Sequence, residues 1–300
     1  MKGLDYRWIE ALDSVVKTGG FDKAANALYV TQSAVSQRIK QLERFVAQPV
    51  LVRDQPPRPT PLGQKLLGFY QRIQLLEQEL IPEISNQQPL QIRQLSIATN
   101  ADSLATWLLP ALSPVLKKHP LEMRFEVDRE GRTLNKLKQG EVVGAISMAS
   151  QALSGCVARY LGRIDYICVA TPQFRERFFP KGLTKEALSI APAVSFDQHD
   201  PLHRDFLKQH GIDIDRGINH WVSSSEAFVN MALNHCAYCL IPTIQIEKEL
   251  EQGTLVDLLP GFSISFEMYW HHWQLETGLL KEVSEAILSY AQQHLIQPSR

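Results

Sequence analysis

The sequence contains little cysteine and no long apolar run. Its four cysteines, at positions 156, 168, 236 and 239, are too few and too scattered to form a disulfide framework in a chain of 300 residues. No stretch approaches the roughly 18 consecutive apolar residues that suggest a membrane span. The N-terminus lacks the apolar core and small-residue cleavage site of a secretory signal peptide. Together these absences predict a cytoplasmic protein with reduced thiols and no membrane partner.

Motifs of common enzyme classes are also missing. There is no G-x-S-x-G nucleophile motif, no glycine-rich phosphate loop and no pair of metal ligands on one helix face. Cys236 and Cys239, preceded by His235, form a lone C-x-x-C without the second pair of a zinc site, and Cys239 lies in an apolar run where core burial is expected. His271 and His272, between two tryptophans, are likewise interpreted as structural. The sequence predicts neither an enzyme nor a bound metal or cofactor.

Charge of one sign is not in excess overall, but it is unevenly distributed. The formal net charge is −1 for the whole chain. Residues 1–60 hold nine basic and six acidic side chains, a net charge of +3, and the remainder carries −4. A length of 300 residues suggests at least two domains. A basic head on an acidic body favours one module that faces phosphate and another with a different task.

The segment from Phe21 to Glu43 predicts two short helices joined by a tight turn. Thr31 can cap the second helix, because its hydroxyl can accept a hydrogen bond from a first-turn N–H. Val35, Ile39 and Leu42 recur at helical spacing and form one apolar stripe.

The opposite face of the second helix carries hydrogen-bonding and cationic side chains without an acid. Those residues are Ser33, Ser36, Gln37, Lys40 and Arg44. Such a face suits insertion into a DNA major groove. It is equally compatible with the solvated face of an ordinary core helix, and this segment alone leaves both interpretations open.

A short β-hairpin is predicted after these helices. Residues 49–53 form one strand, the sequence Asp-Gln-Pro-Pro turns, and residues 58–60 return. Arg53 and Arg58 flank the turn and could reach phosphates or a minor groove. With an amphipathic helix over residues 4–16, this pattern predicts a winged helix-turn-helix.

Residues 63–81 predict a long helix that starts near Pro61. Its apolar residues follow a heptad spacing, at Leu66, Phe69, Ile73, Leu76 and Leu80. The stripe could lie on its own domain, but a small winged domain has little surface to cover it. We therefore favour pairing with a second copy of the chain. Pro82 and the polar segment 85–89 are expected to end the helix and form a hinge.

From residue 90 onward, strands and helices alternate. Strands are predicted at 95–99, 121–127, 142–147, 164–171, 192–196, 237–241, 254–258 and 264–270, and the intervening helices include 103–118, 224–234 and a final helix at 278–295. Repeated βα units imply parallel sheets with helices on both faces. Two such units side by side would leave a cleft for a small molecule.

Several motifs resemble the LysR-type transcriptional regulators, and the resemblance covers nearly the whole chain. They are AANALYVTQSAVSQRIKQLE, VLVR and RPTPLGQKLL in the first part, and NADSLATWLLPAL, KQGEVVGAIS, SSEAFV, IPTIQIEKEL and YWHHW in the second. The second set is similar to family members that respond to arginine or lysine.

The resemblance implies an α/β protein with an N-terminal winged helix-turn-helix (residues 1–60), a dimerising linker helix and hinge (61–90) and a two-lobed effector-binding domain (91–300) related to periplasmic binding proteins. Lobe I would comprise about 91–163 and 266–300, and lobe II about 164–265. It implies a homodimer or dimer of dimers that binds promoter DNA, acts with RNA polymerase and activates genes such as an arginine exporter in response to a basic amino acid.

Carried over to this sequence, the DNA contacts fall on the second helix and the wing. They are Thr31, Gln32, Ser33, Ser36, Gln37, Arg38, Lys40, Arg53, Arg58 and Thr60. We expect Gln37 and Lys40 to contact base edges, because glutamine suits adenine and lysine suits guanine. Arg38 lies nearer the buried edge and is expected to reach a phosphate.

The effector site is expected where residues 99–103 leave a strand and begin a helix, because helix N-terminal N–H groups suit a carboxylate. Plain N-capping by Asn100 or Asp102 explains that segment equally well. The predicted effector contacts are Asn100, Asp102, Ser103, Ser147, Asp197, Ser225 and Glu226. The three acids are the candidates for binding the ammonium and cationic side chain of a basic amino acid.

Two alternatives remain open. One is a DNA-architectural or replication-control protein that binds curved A·T-rich DNA with little dependence on an effector. The other is a solute-binding protein, which the predicted winged helix-turn-helix and the absence of a signal sequence disfavour. A response of DNA occupancy or transcription to lysine or arginine separates the first alternative from an effector-dependent regulator.

Overall fold

The structure of the chain is a computed structural model. It describes residues 3–84, 93–129, 131–212, 217–274, 276 and 278–298. The side chain of Leu80 and the predicted hinge at 85–89 lie outside the described residues.

The first unit is a winged helix-turn-helix, as predicted. It consists of α1 (Tyr6–Thr18), α2 (Phe21–Ala27), α3 (Gln32–Val46), β1 (Leu51–Val52) and β2 (Arg58–Pro59). Gly19 ends α1 in the left-handed conformation that glycine adopts without strain. The Thr31 hydroxyl accepts from the backbone N–H of Ala34 at 3.2 Å and caps α3. The predicted stripe of Val35, Ile39 and Leu42 is buried in the core of this unit.

Helix α4 (Pro61–Ile84) leads out of the winged unit. The Thr60 hydroxyl donates to the carbonyl of Pro49 at 2.9 Å and accepts from the N–H of Gly63 at 3.1 Å, which fixes the start of the helix.

Tyr70 of α4 is buried in the core of the winged unit, and Leu66 packs against that core. The first turns of α4 therefore cover their own domain, whereas Leu76 further along is exposed. The expectation that the helix ends at Pro82 is wrong, because α4 continues to Ile84.

The second half of the chain contains nine strands and their helices among the residues described. The strands are β3 (Arg93–Thr99), β4 (Leu121–Val127), β5 (Gly144–Ser147), β6 (Cys156–Ala170), β7 (Ala193–Ser195), β8 (Asn219–Trp221), β9 (Cys239–Pro242), β10 (Val256–Asp257) and β11 (Ile264–Trp273). The helices are α5 (Ala101–Ser103), α6 (Leu109–Lys118), α7 (Thr133–Gln139), α8 (Pro172–Phe178), α9 (Lys185–Ile190), α10 (Leu202–Gln209), α11 (Ser225–Leu233), α12 (Glu247–Glu251) and α13 (Gly278–His294).

The expectation of parallel sheets holds only in part, because β7 and β8 pair in parallel in a small sheet but the large sheet is mixed. The large sheet has the order β10-β6-β11-β5-β3-β4, with β9 also paired to β6. Only β3 pairs in parallel with β4 and β5, whereas β6 and β11 pair antiparallel with every partner. Alternating strands and helices predict parallel neighbours only when each helix carries the chain back to the end of the sheet at which the preceding strand began. Here the 15-residue β6 and the ten-residue β11 pair antiparallel with each other, and they join lobe I, around β3, β4 and β5, to lobe II, around β7 to β10.

The predicted helix at 103–118 starts earlier and is irregular. It runs from α5 through a π turn at Leu104–Leu108 into α6. Pro110 has no N–H to donate, so the preceding turn can widen without losing that bond. The helix begins directly after β3 and thus at the sheet edge where β3, β4 and β5 end.

The linker helix α4 lies against the second half of the chain at a contact between two glycines. A Cβ on Gly68 would lie 2.5 Å from the Cα of Gly140, and a Cβ on Gly140 would lie 2.1 Å from the Cα of Gly68. One turn further along α4, the Arg72 guanidinium lies 4.1 Å from the ring centre of Trp273, at the end of β11. These contacts connect the winged unit to the sheet that carries the cleft.

Candidate functional site

The exposed face of α3 presents the predicted DNA contacts. Gln32, Ser33, Gln37 and Lys40 are exposed and Ser36 is partly exposed. The Thr31 hydroxyl is engaged by the helix cap and lies 2.9 Å from the Ser33 hydroxyl. Since α3 is anchored by its buried stripe, this polar face is held outward on a rigid element. Base contact by Gln37 and Lys40 stays a prediction.

Arg38 lies at the edge of that face. Its side chain is partly buried, and Nη1 lies 3.7 Å from Oε2 of Glu10 on α1. This weak ion pair holds the guanidinium beside α1, so a phosphate contact would require it to exchange partners.

The wing places two arginines at its tip. Arg53 and Arg58 are exposed on either side of the turn, and Val52 pairs with Arg58 across the two strands. Thr60 is in a different position, because its hydroxyl is used to connect Pro49 to the start of α4. Of the three predicted wing contacts, the two arginines are therefore the side chains available to DNA.

A cleft of about 580 Å³ lies between the two lobes. Its lining includes the polar residues Asn100, Asp102, Asp128, Arg129, His199, Asp200, Asp205 and Gln209 and the aromatic residues Tyr166, Phe196 and Phe266. The lining contains four aspartates and one arginine, so its formal net charge is negative. This volume lies within the range of about 300–1,000 Å³ that is common for small-molecule sites.

Asp102 links the two lobes across the cleft. Its carboxylate accepts hydrogen bonds from the Tyr166 hydroxyl at 2.6 Å and the Ser225 hydroxyl at 2.5 Å. Ser225 also lies 2.9 Å from the side-chain oxygen of Gln245. Burial raises the pKa of Asp102, and these two hydrogen bonds oppose the rise by favouring the charged form. The arrangement brings Asp102 and Ser225, predicted separately, into one contact.

The serines and asparagine predicted near strand ends are buried. The Asn100 side chain accepts from the N–H of Ser103 at 2.9 Å, so it caps the helix. The Ser103 hydroxyl is buried and has no hydrogen-bond partner within the described part of the chain. Ser147, at the end of β5, accepts from the N–H of Ala149 at 3.2 Å. Of these three residues, only Asn100 lines the cleft.

The two remaining predicted acids lie in different places. Asp197 forms an ion pair with Arg129 at 3.0 Å, directly beside the cleft. Glu226 is exposed and accepts from the Ser224 hydroxyl at 3.0 Å, outside the cleft lining.

Sequence reasoning missed several lining residues. Asp128 and Arg129 follow β4, whose end lies beside the end of β3, and the N–H of Asp128 donates to the carbonyl of Thr99 at 3.1 Å. That signal was available, because neighbouring parallel strands end at the same edge. Tyr166 lies in the middle of β6, where no local pattern distinguishes a cleft residue from a core residue.

The histidines and cysteines noted in the sequence differ in their burial. Cys239 is buried, Cys236 is exposed, and the Nδ1 atom of His235 lies 2.6 Å from the Thr171 hydroxyl. His271 and His272 are buried in β11. Across the described residues, no group of three or more His, Cys, Asp or Glu side chains could hold a metal ion. None of the helices in the described part of the chain has the length and hydropathy to cross a bilayer.

Two family models match the chain. Residues 6–64 match the bacterial regulatory helix-turn-helix protein, lysR family, and residues 90–292 match the LysR substrate binding domain. The boundary between the two matches falls on the linker helix and the segment that follows it.

Individual relatives agree with these matches. The HTH-type transcriptional regulator ArgP of Vibrio parahaemolyticus is 59% identical over 298 residues, which cover 99% of this chain and 100% of the relative. The crystal structure of ArgP from Mycobacterium tuberculosis is similar with a TM-score of 0.88 and 29% identity, covering 99% of this chain and 100% of that one. Full-length LysG from Corynebacterium glutamicum with bound effector Arg has a TM-score of 0.82 and 29% identity, covering 98% and 100%.

Proposed function

Because the chain belongs to the LysR family of bacterial transcription regulators, we propose that it binds promoter DNA through α3 and the wing and responds to arginine or lysine bound in the inter-lobe cleft. The target genes would include an arginine exporter, which the protein activates together with RNA polymerase. The acting species is a homodimer or dimer of dimers in the cytoplasm.

The observation that carries this proposal is the charge of the cleft lining. Asp102, Asp128, Asp200 and Asp205 face a cleft that is large enough for an amino acid. A net negative lining favours a ligand that carries more positive than negative charge. Arginine and lysine have two cationic groups and one carboxylate, so they fit this requirement better than neutral or acidic amino acids. The arginine bound to the similar LysG structure supports the same class of ligand.

The helix that starts at Ala101 supplies a complementary feature for the single carboxylate. Its first turn opens on the cleft beside Asn100 and Asp102. The N-terminal end of a helix favours a negative group, because its N–H dipoles point outward. A basic amino acid could therefore place its carboxylate at this helix and its cationic groups among the aspartates.

The linker helix supports assembly of two copies. Phe69 and Leu76 are exposed large apolar side chains on α4, with 36% and 45% of their surface accessible. Isolated exposed apolar residues are common, but two on one helix at heptad spacing favour pairing with a second helix. Pairing would place two α3 helices side by side, as half-sites separated by a DNA turn require.

Transcription in vitro is the direct test of the proposed function. The purified full-length chain, RNA polymerase and an arginine-exporter promoter would be combined with arginine, lysine or leucine. We expect a change in transcript level with a basic amino acid and none with leucine. Equal promoter binding and transcription under all three conditions would instead favour the DNA-architectural alternative.

Calorimetry on two carboxamide variants tests the location of the ligand. Asp102→Asn removes a charge from the cleft lining, whereas Glu226→Gln removes one from an exposed position outside it. We expect Asp102→Asn to weaken binding of the basic amino acid about tenfold or more, since a charge-assisted hydrogen bond contributes about 1.5–3 kcal/mol. Glu226→Gln should change the affinity less than about twofold. The reverse ranking would place the ligand outside this cleft.

A further inference from the structure

Arg129 carries the one guanidinium among the described side chains that line the cleft. It follows β4 on one lobe, and its side chain reaches Asp197, which follows β7 on the other lobe. Nε lies 3.0 Å from Oδ2, and Nη1 donates to Oδ1 at 3.2 Å. Two nitrogens of the guanidinium thus face two oxygens of the carboxylate. Of these two contacts, only the one from Nη1 is a hydrogen bond, and Nε adds an ion-pair contact to the second oxygen.

Asp197 is oriented without the help of Arg129. The backbone N–H of His199 donates to its Oδ1 atom at 2.7 Å, and the N–H of Asp200 donates to its carbonyl at 3.1 Å. The turn therefore holds the carboxylate independently of Arg129, next to Phe196 and His199, which line the cleft. Both side chains of the pair remain partly accessible, at 27% for Arg129 and 31% for Asp197. A pair with this exposure can exchange partners with a ligand from solution.

This inference rests on the proposed binding of a basic amino acid. We propose that Arg129 occupies the Asp197 carboxylate in the absence of ligand, and that the guanidinium of free arginine displaces Arg129 and pairs with Asp197 on binding. Arginine can replace Arg129 directly, because it carries the same planar guanidinium, two nitrogens of which can contact the two carboxylate oxygens at once. Lysine offers a single ammonium nitrogen, which cannot occupy the positions of both Nε and Nη1. Lysine consequently binds in the cleft while the Arg129–Asp197 pair stays closed.

Two consequences follow for affinity. Arginine must first displace Arg129, so its apparent affinity is reduced by the fraction of molecules in which Asp197 is free. Removal of Arg129 abolishes this competition and strengthens arginine binding about tenfold if the pair is closed in about nine molecules of ten. Lysine, which does not use Asp197, gains little. Arg129 thus sets the selectivity of the cleft between the two amino acids.

The test is calorimetric titration of the full-length chain with L-arginine and with L-lysine. Arg129→Gln should bind arginine about tenfold more tightly than the unmodified chain and lysine within about threefold. Asp197→Asn should weaken arginine binding and leave lysine binding within about twofold. Arg132→Gln is the matched control, because it removes the same charge from an exposed side chain three residues away. Thermal unfolding of each variant establishes that it is folded.

The outcomes separate the inference from the proposed function. If arginine and lysine bind the unmodified chain but Arg129→Gln leaves both affinities unchanged, the inference is wrong and the proposed function stands. Loss of arginine binding in Arg129→Gln overturns the inference as well, since Arg129 would then be a direct contact, such as one to the ligand carboxylate. If neither amino acid binds any folded variant, the proposed function itself fails.

Discussion

The contact between Gly68 and Gly140 predicts how the linker helix is held against the effector-binding half. We consider the substitution Gly68→Ala. The added methyl would lie 2.5 Å from the Gly140 Cα and 3.0 Å from the Gln139 carbonyl oxygen, whereas ordinary contact begins at 3.4 Å. The atoms it meets belong to backbone, so rotation of a side chain cannot relieve the overlap. The helix and the turn after α7 must therefore separate by about 1 Å.

Two opposing free-energy terms follow from this separation. Alanine in place of glycine stabilises the helix itself by about 1 kcal/mol. Separation weakens the packing at Gly140 and the cation–π contact of Arg72 with Trp273, which is now at 4.1 Å. A partly buried contact of this kind contributes about 0.5–2 kcal/mol. We expect little change in global stability but a loss of about 1–2 kcal/mol in the docking of α4 on the sheet.

Hydrogen exchange measured by mass spectrometry resolves this local effect. The amides of Gly140 and Glu141, bonded to the carbonyls of Leu137 and Lys136 at 3.0 and 2.9 Å, report on the turn. A loss of about 1–2 kcal/mol corresponds to exchange about 5–30 times faster in the segment 133–143. Lys65→Ala, an exposed position on the same helix, is the matched control. Wild-type exchange rates over 133–143 in Gly68→Ala would refute the reasoning.

Three further predictions concern single side chains. Gln37→Ala should weaken the free energy of binding to a specific DNA site by about 1–3 kcal/mol and leave non-specific binding nearly intact. A competition gel shift measures both affinities, and an equal loss on random DNA would contradict base contact by Gln37. Burial lowers the pKa of His203 to about 4, so the folded chain binds that proton less readily than the unfolded chain. Stability from this residue is present above the ordinary histidine pKa of about 6.5 and decreases by up to about 3 kcal/mol as the pH falls toward 4. The free energy of unfolding, measured with urea from pH 7.5 to 4.5, should decrease less steeply for His203→Phe than for the unmodified chain. The same decrease in both would show that His203 does not have a lowered pKa. Burial also raises the thiol pKa values of Cys168 and Cys239. The exposed Cys236 should therefore react with a thiol reagent before these two cysteines do in the native chain. Reaction of Cys168 and Cys239 at the same rate as Cys236 would be inconsistent with the fold.

The winged unit could be predicted from sequence because its signals are local. The cap at Thr31, the stripe of Val35, Ile39 and Leu42 and the wing turn each specify their own element. The contacts between elements then follow from burial of a single apolar face per helix. Arg38 is the exception, since its partner Glu10 lies on α1, 28 residues earlier in the chain.

The effector half was predicted as elements but not as a sheet. The first half of β6 contains Arg159, Gly162 and Arg163, which interrupt the apolar alternation, yet this segment is the strand that passes between the lobes. Its stability comes from pairing with β11, a partner about 100 residues away. This long-range pairing leaves no strand signal in residues 156–163, although the second half of β6 and most of β11 were predicted as strands. Asp102 illustrates the same limit. The sequence identifies it only as an acid at the start of a helix, whereas in the structure it accepts a hydrogen bond from Ser225 on the other lobe.

The position of β5 explains how a ligand in the cleft could affect the linker helix. This strand is buried over its whole length, between β3 and β11, and a Cβ on Gly144 would lie 2.1 Å from the Trp270 ring. Met148, just after its end, lines the cleft, and the turn before its start contains Gly140, which touches Gly68. The strand itself spans only about 13 Å, at about 3.3 Å per residue. A close-packed strand transmits a displacement instead of absorbing it. We therefore expect Gly68→Ala to retain ligand affinity and DNA binding while losing the response of one to the other, which promoter titrations with and without arginine would measure.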